Sequence, residues 1–246
     1  MDRTFPLNGL QTLSARVPHT LHFSAGRYHR ANTIKIAISD SIHFLEDTSS
    51  QQKNAYFAQF IPSFEVLQAT ASASSLVVCP DLLEIFQAAT PPSVDFKKLP
   101  TDVESRWGIY AFVLEKPGSR SAIYIGSGTN AIGGVKHRFF NYDNGYSLGK
   151  RVESTLNDGW SIAHKGLLCW GSIPTADLVP LLRVLYIALE TVFAYVFWTM
   201  TKTKGKGKRN MAHISLWELG THTYDGLCSH PALLEGILGG FDLTPE

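Results

Sequence analysis

The sequence predicts an α+β fold: a small, mainly antiparallel three-stranded sheet flanked by helices, preceded by a mostly helical N-terminal extension. Three observations predict it. Two runs rich in β-branched and aromatic residues, GIYAFVL from Gly108 and SAIYIGS from Ser121, bracket a Pro-Gly turn, which is the pattern of a β-hairpin. A third such run, KGLLCWGSI from Lys165, follows a short helical pattern. A long apolar helix over residues 184–200 comes next, and the order strand, strand, helix, strand, helix makes a small sheet covered by helices.

Composition sets the frame for these elements. Of the 246 residues, 44% are hydrophobic and 17% charged, the balance of a folded globular chain with one functional domain and extensions. A net charge of +1 gives the molecule as a whole no attraction for polyanions, so nucleic-acid binding would need a local basic patch. Cys79, Cys169 and Cys228 are odd in number and far apart, which excludes a disulfide framework and a zinc ribbon. The first twenty residues hold no apolar run of signal-peptide length, so the expected location is intracellular, nuclear or cytoplasmic.

Along residues 1–100, TIKIAISDSIHFLED and KNAYFAQFIPSFEVLQATAS carry apolar residues at helical spacing. SSLVVCPDLLEIFQAAT reads as a short strand running into a helix behind Pro80. No motif here carries recognisable chemistry. TPPSVDFKKLPTDVESR, rich in proline and charge, reads as a linker, and the domain boundary is placed near Pro100, leaving 101–246 as the functional domain.

Within that domain, the hairpin loop decides what its two tyrosines do. An odd number of loop residues puts Tyr110 and Tyr124 on one face, and three or five centred on Pro117 would oppose them directly; an even number separates them. GGVKHRFFNYD is a short helix on which Arg138 and Tyr142, four residues apart, emerge side by side. A guanidinium beside a phenol offers a planar fork of donors to phosphate oxygens. His137 points about 100° away and is read as outward-facing. A polar stretch with glycines separates this helix from the third strand.

The apolar helix starts between Asp177 and Pro180, with Thr175 or Asp177 as N-cap and Pro180 in the first turn. At about 26 Å it approaches the ~30 Å of a bilayer core. Glu190 near its middle argues instead for a buried helix with one needed carboxylate. That carboxylate requires a partner. Two candidates stand level: Arg183, seven residues earlier, or a divalent cation such as Mg²⁺, commonly held by one or two carboxylates with waters and phosphate.

After the helix, TKTKGKGKR interleaves Lys202, Lys204, Lys206, Lys208 and Arg209 with small residues. It reads as a nucleic-acid backbone grip, a nuclear import signal or a solvated loop, and its position after the glutamate helix favours the first. IGSGTNAIGGV lacks the lysine of a P-loop and the third glycine of a dinucleotide fingerprint. His213, His222 and His230, with Cys228, do not match structural zinc spacings and read as hydrogen-bonded loop histidines.

Taken in order, Gly108-Ile109-Tyr110, Tyr124-Ile125-Gly126, an arginine with a tyrosine four residues on, and a later helical glutamate resemble the GIY-YIG endonuclease family. The wording YIGSGT and GGV is most similar to fungal members, and the resemblance spans roughly residues 107–200. It implies a metal-dependent endonuclease acting on DNA, with Mg²⁺ or Mn²⁺ as cofactor. In that likeness Gly108 and Gly126 belong to the two motif strands, Tyr110 and Tyr124 are the paired tyrosines, and Arg138 contacts the scissile phosphate. Tyr142 takes the place of a tyrosine or histidine, and Glu190, preferred over Glu153, is the metal ligand. Tyr110 is the expected general base, and Tyr124 or Tyr142 positions water or phosphate. Thirteen residues separate the two motif tyrosines, a longer interval than usual, which loop insertion accommodates at small cost. The alternative is a non-catalytic nucleic-acid-binding or protein-interaction module on the same scaffold.

Overall fold

The fold is seen in a computed structural model, which describes residues 63–87, 95–101, 104–201, 215–218, 220–229 and 232. The first predicted helix, over 33–47, and the basic run at 202–209 lie outside the described residues. In chain order the elements are α1 (Phe64–Ala73), β1 (Val77–Val78), α2 (Pro80–Gln87), a 3-10 turn (Asp95–Lys98), β2 (Trp107–Glu115) and β3 (Ala122–Gly128). They continue with α3 (Gly134–Asp143), α4 (Lys150–Asn157), β4 (Ser161–Gly171), α5 (Val179–Val196) and β5 (Asp225–Gly226).

The sheet corrects the three-stranded expectation. It has five strands in the order β1-β4-β2-β3-β5, mixed because β5 runs parallel to β3 while the other pairs are antiparallel. The antiparallel trio β4-β2-β3 is the predicted sheet; β1, the short strand expected before the helix at Pro80, and β5 are two-residue additions at its edges. Such short strands carry no periodicity of their own and are fixed by tertiary contacts. For β5 these include Leu227 N donating to Ile123 O at 2.9 Å and the Cys228 sulfur accepting from Ile125 N at 3.4 Å.

Helices cover both faces of β2, which explains why it reads as a continuous apolar run and not an alternating one. Ile109, Ala111 and Val113, with Ile123 and Ile125 of β3, pack against α5. Tyr110, Phe112 and Leu114 pack on the other side against Val135, Phe139 and Tyr142 of α3 and Val152 of α4. Helix α5 buries fourteen residues, at up to about 1.5–3 kcal/mol for each large apolar side chain. By length and composition it is the one helix among the described residues apolar enough to cross a membrane, and 78% of it is buried inside the protein.

Three local expectations change. The segment read as a linker belongs to the core over its described part: Phe96 and Leu99 are buried, and Phe96 meets Phe197 edge-to-face at 4.9 Å. Together with α1, β1 and α2, it draws the core from both sides of Pro100. Helix α5 is entered through Leu178 with no side-chain cap, not through Thr175 or Asp177, and Pro180 sits in its first turn as expected. The polar stretch before β4 contains a helix, α4, held by buried Val152. Its few apolar residues gave no helical signal.

A tyrosine cluster gripped by Arg138 as candidate functional site

The hairpin register builds the site. Pairing runs from Gly108 opposite Gly128 to Leu114 opposite Ala122, and the seven residues beyond that last pair are odd in number, so Tyr110 and Tyr124 share a face. They are offset by two pairs: Gly126 stands opposite Tyr110, and Phe112 opposite Tyr124, which corrects the directly opposed arrangement. The glycine opposite Tyr110 is a steric necessity, because a methyl group on Gly126 would lie 2.6 Å from the Tyr110 oxygen and 2.8 Å from the Tyr124 ring. A side chain on Gly108 would instead press on the Cys169 carbonyl, at 2.8 Å, and on Val135, at 3.1 Å.

Beneath the phenols, β4 bulges. Ile109 pairs with Cys169 but Tyr110 with Leu167, leaving Leu168 as the extra residue. Aromatic rings then fix Tyr110 from several directions: Phe112 stacks at 4.7 Å, Phe139 meets it edge-on at 5.2 Å, and Tyr124 and Tyr142 lie at 6.3 and 6.5 Å. Pairs of this kind contribute about 0.5–1.5 kcal/mol each beyond their burial.

Arg138 closes the cluster from α3. Its Nε donates to the Tyr110 oxygen at 3.4 Å and its Nη2 to the Tyr142 oxygen at 3.5 Å, with the guanidinium 4.9 Å from the Tyr142 ring centre. Nη1 donates to the Ser147 carbonyl at 2.7 Å. The two bonds to phenols are long, so an anionic oxygen can compete for those donors. Burial opposes the arginine's charge, but the oxygens of Tyr110 and Tyr142 outweigh it and raise the pKa above its usual value. The phenol oxygens of Tyr142 and Tyr124 converge beside Gly149, 3.6 and 3.7 Å from where its side chain would begin.

The two motif tyrosines differ in access. Tyr110 is 0% exposed, and burial, then the neighbouring Tyr142, pushes its pKa well above the ordinary value in spite of Arg138. Tyr124 is half-buried; burial and the neighbours Tyr110, Tyr142 and Glu190 raise it too. Both phenols are therefore neutral at pH 7. Tyr110 is fully enclosed, whereas Tyr124 keeps solvent access.

Glu190 is half-buried within an otherwise buried stretch of α5, and its charge acts on both Tyr110 and Tyr124. Arg183, its alternative partner, lies with its guanidinium 5.9 Å from the Trp107 ring. Glu153 is exposed in the first turn of α4. His137 is exposed, as expected. Lys202, Lys204, Lys206, Lys208 and Arg209 lie outside the described residues, as do His213 and His230.

Among the described residues no group of three or more His, Cys, Asp or Glu side chains forms a metal cage. The oxygen groups that meet at the cluster are the phenols of Tyr110, Tyr124 and Tyr142, without sulfur or imidazole. Such oxygen donors suit a hard cation that keeps most of its waters. Sequence reasoning missed Ser147, Gly149, Phe112 and Phe139. The first two act through backbone, which leaves no residue-type signal, and the two phenylalanines read only as core.

No protein-family model, curated protein or solved structure matches this chain. Its likeness to a family therefore rests on the residues and geometry above.

Proposed function

We propose that the chain is a metal-dependent phosphodiester hydrolase of GIY-YIG type that cleaves DNA. The observation that carries this reading is Arg138 reaching two phenols at once, Tyr110 and Tyr142, over a glycine that leaves them room. A structural arginine would gain more from a carboxylate. A half-buried guanidinium held by two weak phenol contacts and the Ser147 carbonyl is a pre-positioned clamp for a phosphate oxygen.

In this reading Arg138 binds a non-bridging oxygen and stabilises the charge that builds on phosphorus. Tyr110, neutral and enclosed, orients Arg138 through its oxygen. Tyr124, with solvent access on the same face, directs the attacking water and takes its proton once ionised. The new bond joins water oxygen to phosphorus, the ester P–O bond breaks, and the departing alkoxide is protonated from solvent. Glu190 would hold Mg²⁺ or Mn²⁺, which supplies charge neutralisation at the departing oxygen.

The alternative, a non-catalytic nucleic-acid-binding or protein-interaction module, is favoured by the raised pKa of both phenols, which leaves no ready base at pH 7. Labelled duplex, branched and single-stranded DNA incubated with Mg²⁺ or EDTA separates the two. Cleavage in Mg²⁺ alone, reduced about 10²–10³-fold in Arg138→Ala, supports the nuclease. Binding without cleavage in every condition supports the module.

A further inference from the structure

Among the described residues, Gly149 is the one glycine that neither backbone nor packing requires. Every other described glycine has left-handed φ or an atom under 3.0 Å from where its Cβ would stand. Gly149 has φ −63° and ψ 130°, a conformation open to any residue. Its nearest atoms are the Tyr142 oxygen at 3.6 Å and the Tyr124 oxygen at 3.7 Å, ordinary van der Waals distances for a methyl group.

A side chain would even help the helix. Gly149 is the N-cap of α4 and gives it no side-chain cap, where a serine could accept from one of the first N–H groups of the helix. What a side chain would cover is the pair of phenol hydroxyls, and that is the difference glycine makes here.

Those hydroxyls have hydrogens to give. The Tyr142 oxygen accepts from Arg138 Nη2 at 3.5 Å, which leaves its own hydrogen for an acceptor. Neither Tyr142 nor Tyr124 donates to an acceptor among the described residues. Tyr142 is 4% exposed, and a hydroxyl so enclosed calls for a small polar partner. The same backbone is tied to the guanidinium, because Ser147, two residues before Gly149, gives its carbonyl to Arg138 Nη1 at 2.7 Å.

We infer that Gly149 is a positioning residue: its bare backbone keeps room for the attacking water between Tyr142, which donates to the water oxygen, and Tyr124, which takes the proton. This rests on the nuclease reading. The water's proton passes to ionised Tyr124 as its oxygen bonds to phosphorus and the ester P–O bond breaks, and the departing alkoxide takes a proton from solvent.

The experiment compares wild type, Gly149→Ala, Gly149→Ser, Tyr142→Phe and the double variant Gly149→Ser with Tyr142→Phe. It measures single-turnover cleavage of labelled DNA in Mg²⁺, DNA affinity in EDTA and melting temperature. Gly149→Ser, which gains a cap, should melt at or above wild type and bind DNA with wild-type affinity, yet cleave about a hundredfold more slowly. Gly149→Ala should lose rate by a similar factor. The double variant should be no slower than the slower of its single variants, because both changes act on one water. A wild-type rate in either Gly149 variant, a loss of affinity or melting temperature that matches the loss of rate, or losses that multiply in the double variant would overturn the inference. If the wild type cleaves in that event and Arg138→Ala does not, the nuclease reading stands without it. Absence of cleavage by the wild type overturns both.

Discussion

Gly126 lies directly opposite Tyr110 across the β2–β3 pair, and the phenol oxygen occupies the space where any other residue would place its Cβ, 2.6 Å away. The second motif's glycine is thus the floor of the first motif's tyrosine. That one relationship couples backbone, packing and the aim of Arg138.

Gly126→Ala should therefore push the Tyr110 ring and, with it, Arg138. Overpacking of this kind costs about 1–3 kcal/mol, and a displacement near 1 Å costs about a hundredfold in rate. Urea denaturation and single-turnover cleavage should both report it. A variant with wild-type stability and rate would show that the glycine is incidental.

The raised phenol pKa values set a pH dependence. In the proposed reaction Tyr124 must lose its proton before accepting one from water, and burial holds its pKa above the ordinary value of about 10. Below that pKa the ionised fraction grows tenfold for each unit of pH. The logarithm of the single-turnover rate should rise with a slope near one from about pH 6.5 to 9, and Tyr124→Phe should flatten the profile. A wild-type plateau near neutrality would point to a different proton acceptor.

His222 gives the fold its own pH limit. The ring is 8% exposed among Trp198, Trp217 and Tyr224 at 5.9, 6.2 and 5.4 Å, and neither nitrogen has a hydrogen-bond partner among the described residues. This corrects the expectation of a hydrogen-bonded loop histidine. Burial, then the charge of Arg120, lowers its pKa from about 6.5 to about 4. The unfolded chain consequently binds the proton first as pH falls. Stability present above pH 6.5 should decline through the window down to pH 4, by a total of about 3 kcal/mol. Urea unfolding at intervals of half a pH unit would measure it, and His222→Phe should remove most of this slope. An unchanged slope in that variant would assign the acid sensitivity elsewhere.

Particular residues show what the sequence made legible. The sequence tied a shared face for Tyr110 and Tyr124 to an odd loop but did not decide that parity or their two-pair offset, because both depend on where pairing stops around Pro117, which alternation does not encode. Arg138 and Tyr142 were readable as helix neighbours because the four-residue spacing is local. Contacts made by backbone were not: the Ser147 carbonyl and the hydrogen of Ile125 N are the same in every residue. Phe96 was hidden in a proline- and charge-rich stretch, because one buried ring suffices to anchor a segment whose composition resembles a linker.

The central claim is that Glu190 serves phosphate chemistry at the tyrosine cluster and not the packing of α5. The measurement that tests it most directly is the single-turnover rate of DNA cleavage by wild type and Glu190→Gln across a Mg²⁺ titration, with thermal unfolding of both. The account predicts similar melting temperatures and a rate at least about a thousandfold lower in the variant at saturating Mg²⁺, since loss of the cation forfeits several kcal/mol of charge stabilisation. Equal rates, or a variant whose loss of activity tracks loss of fold, would contradict it.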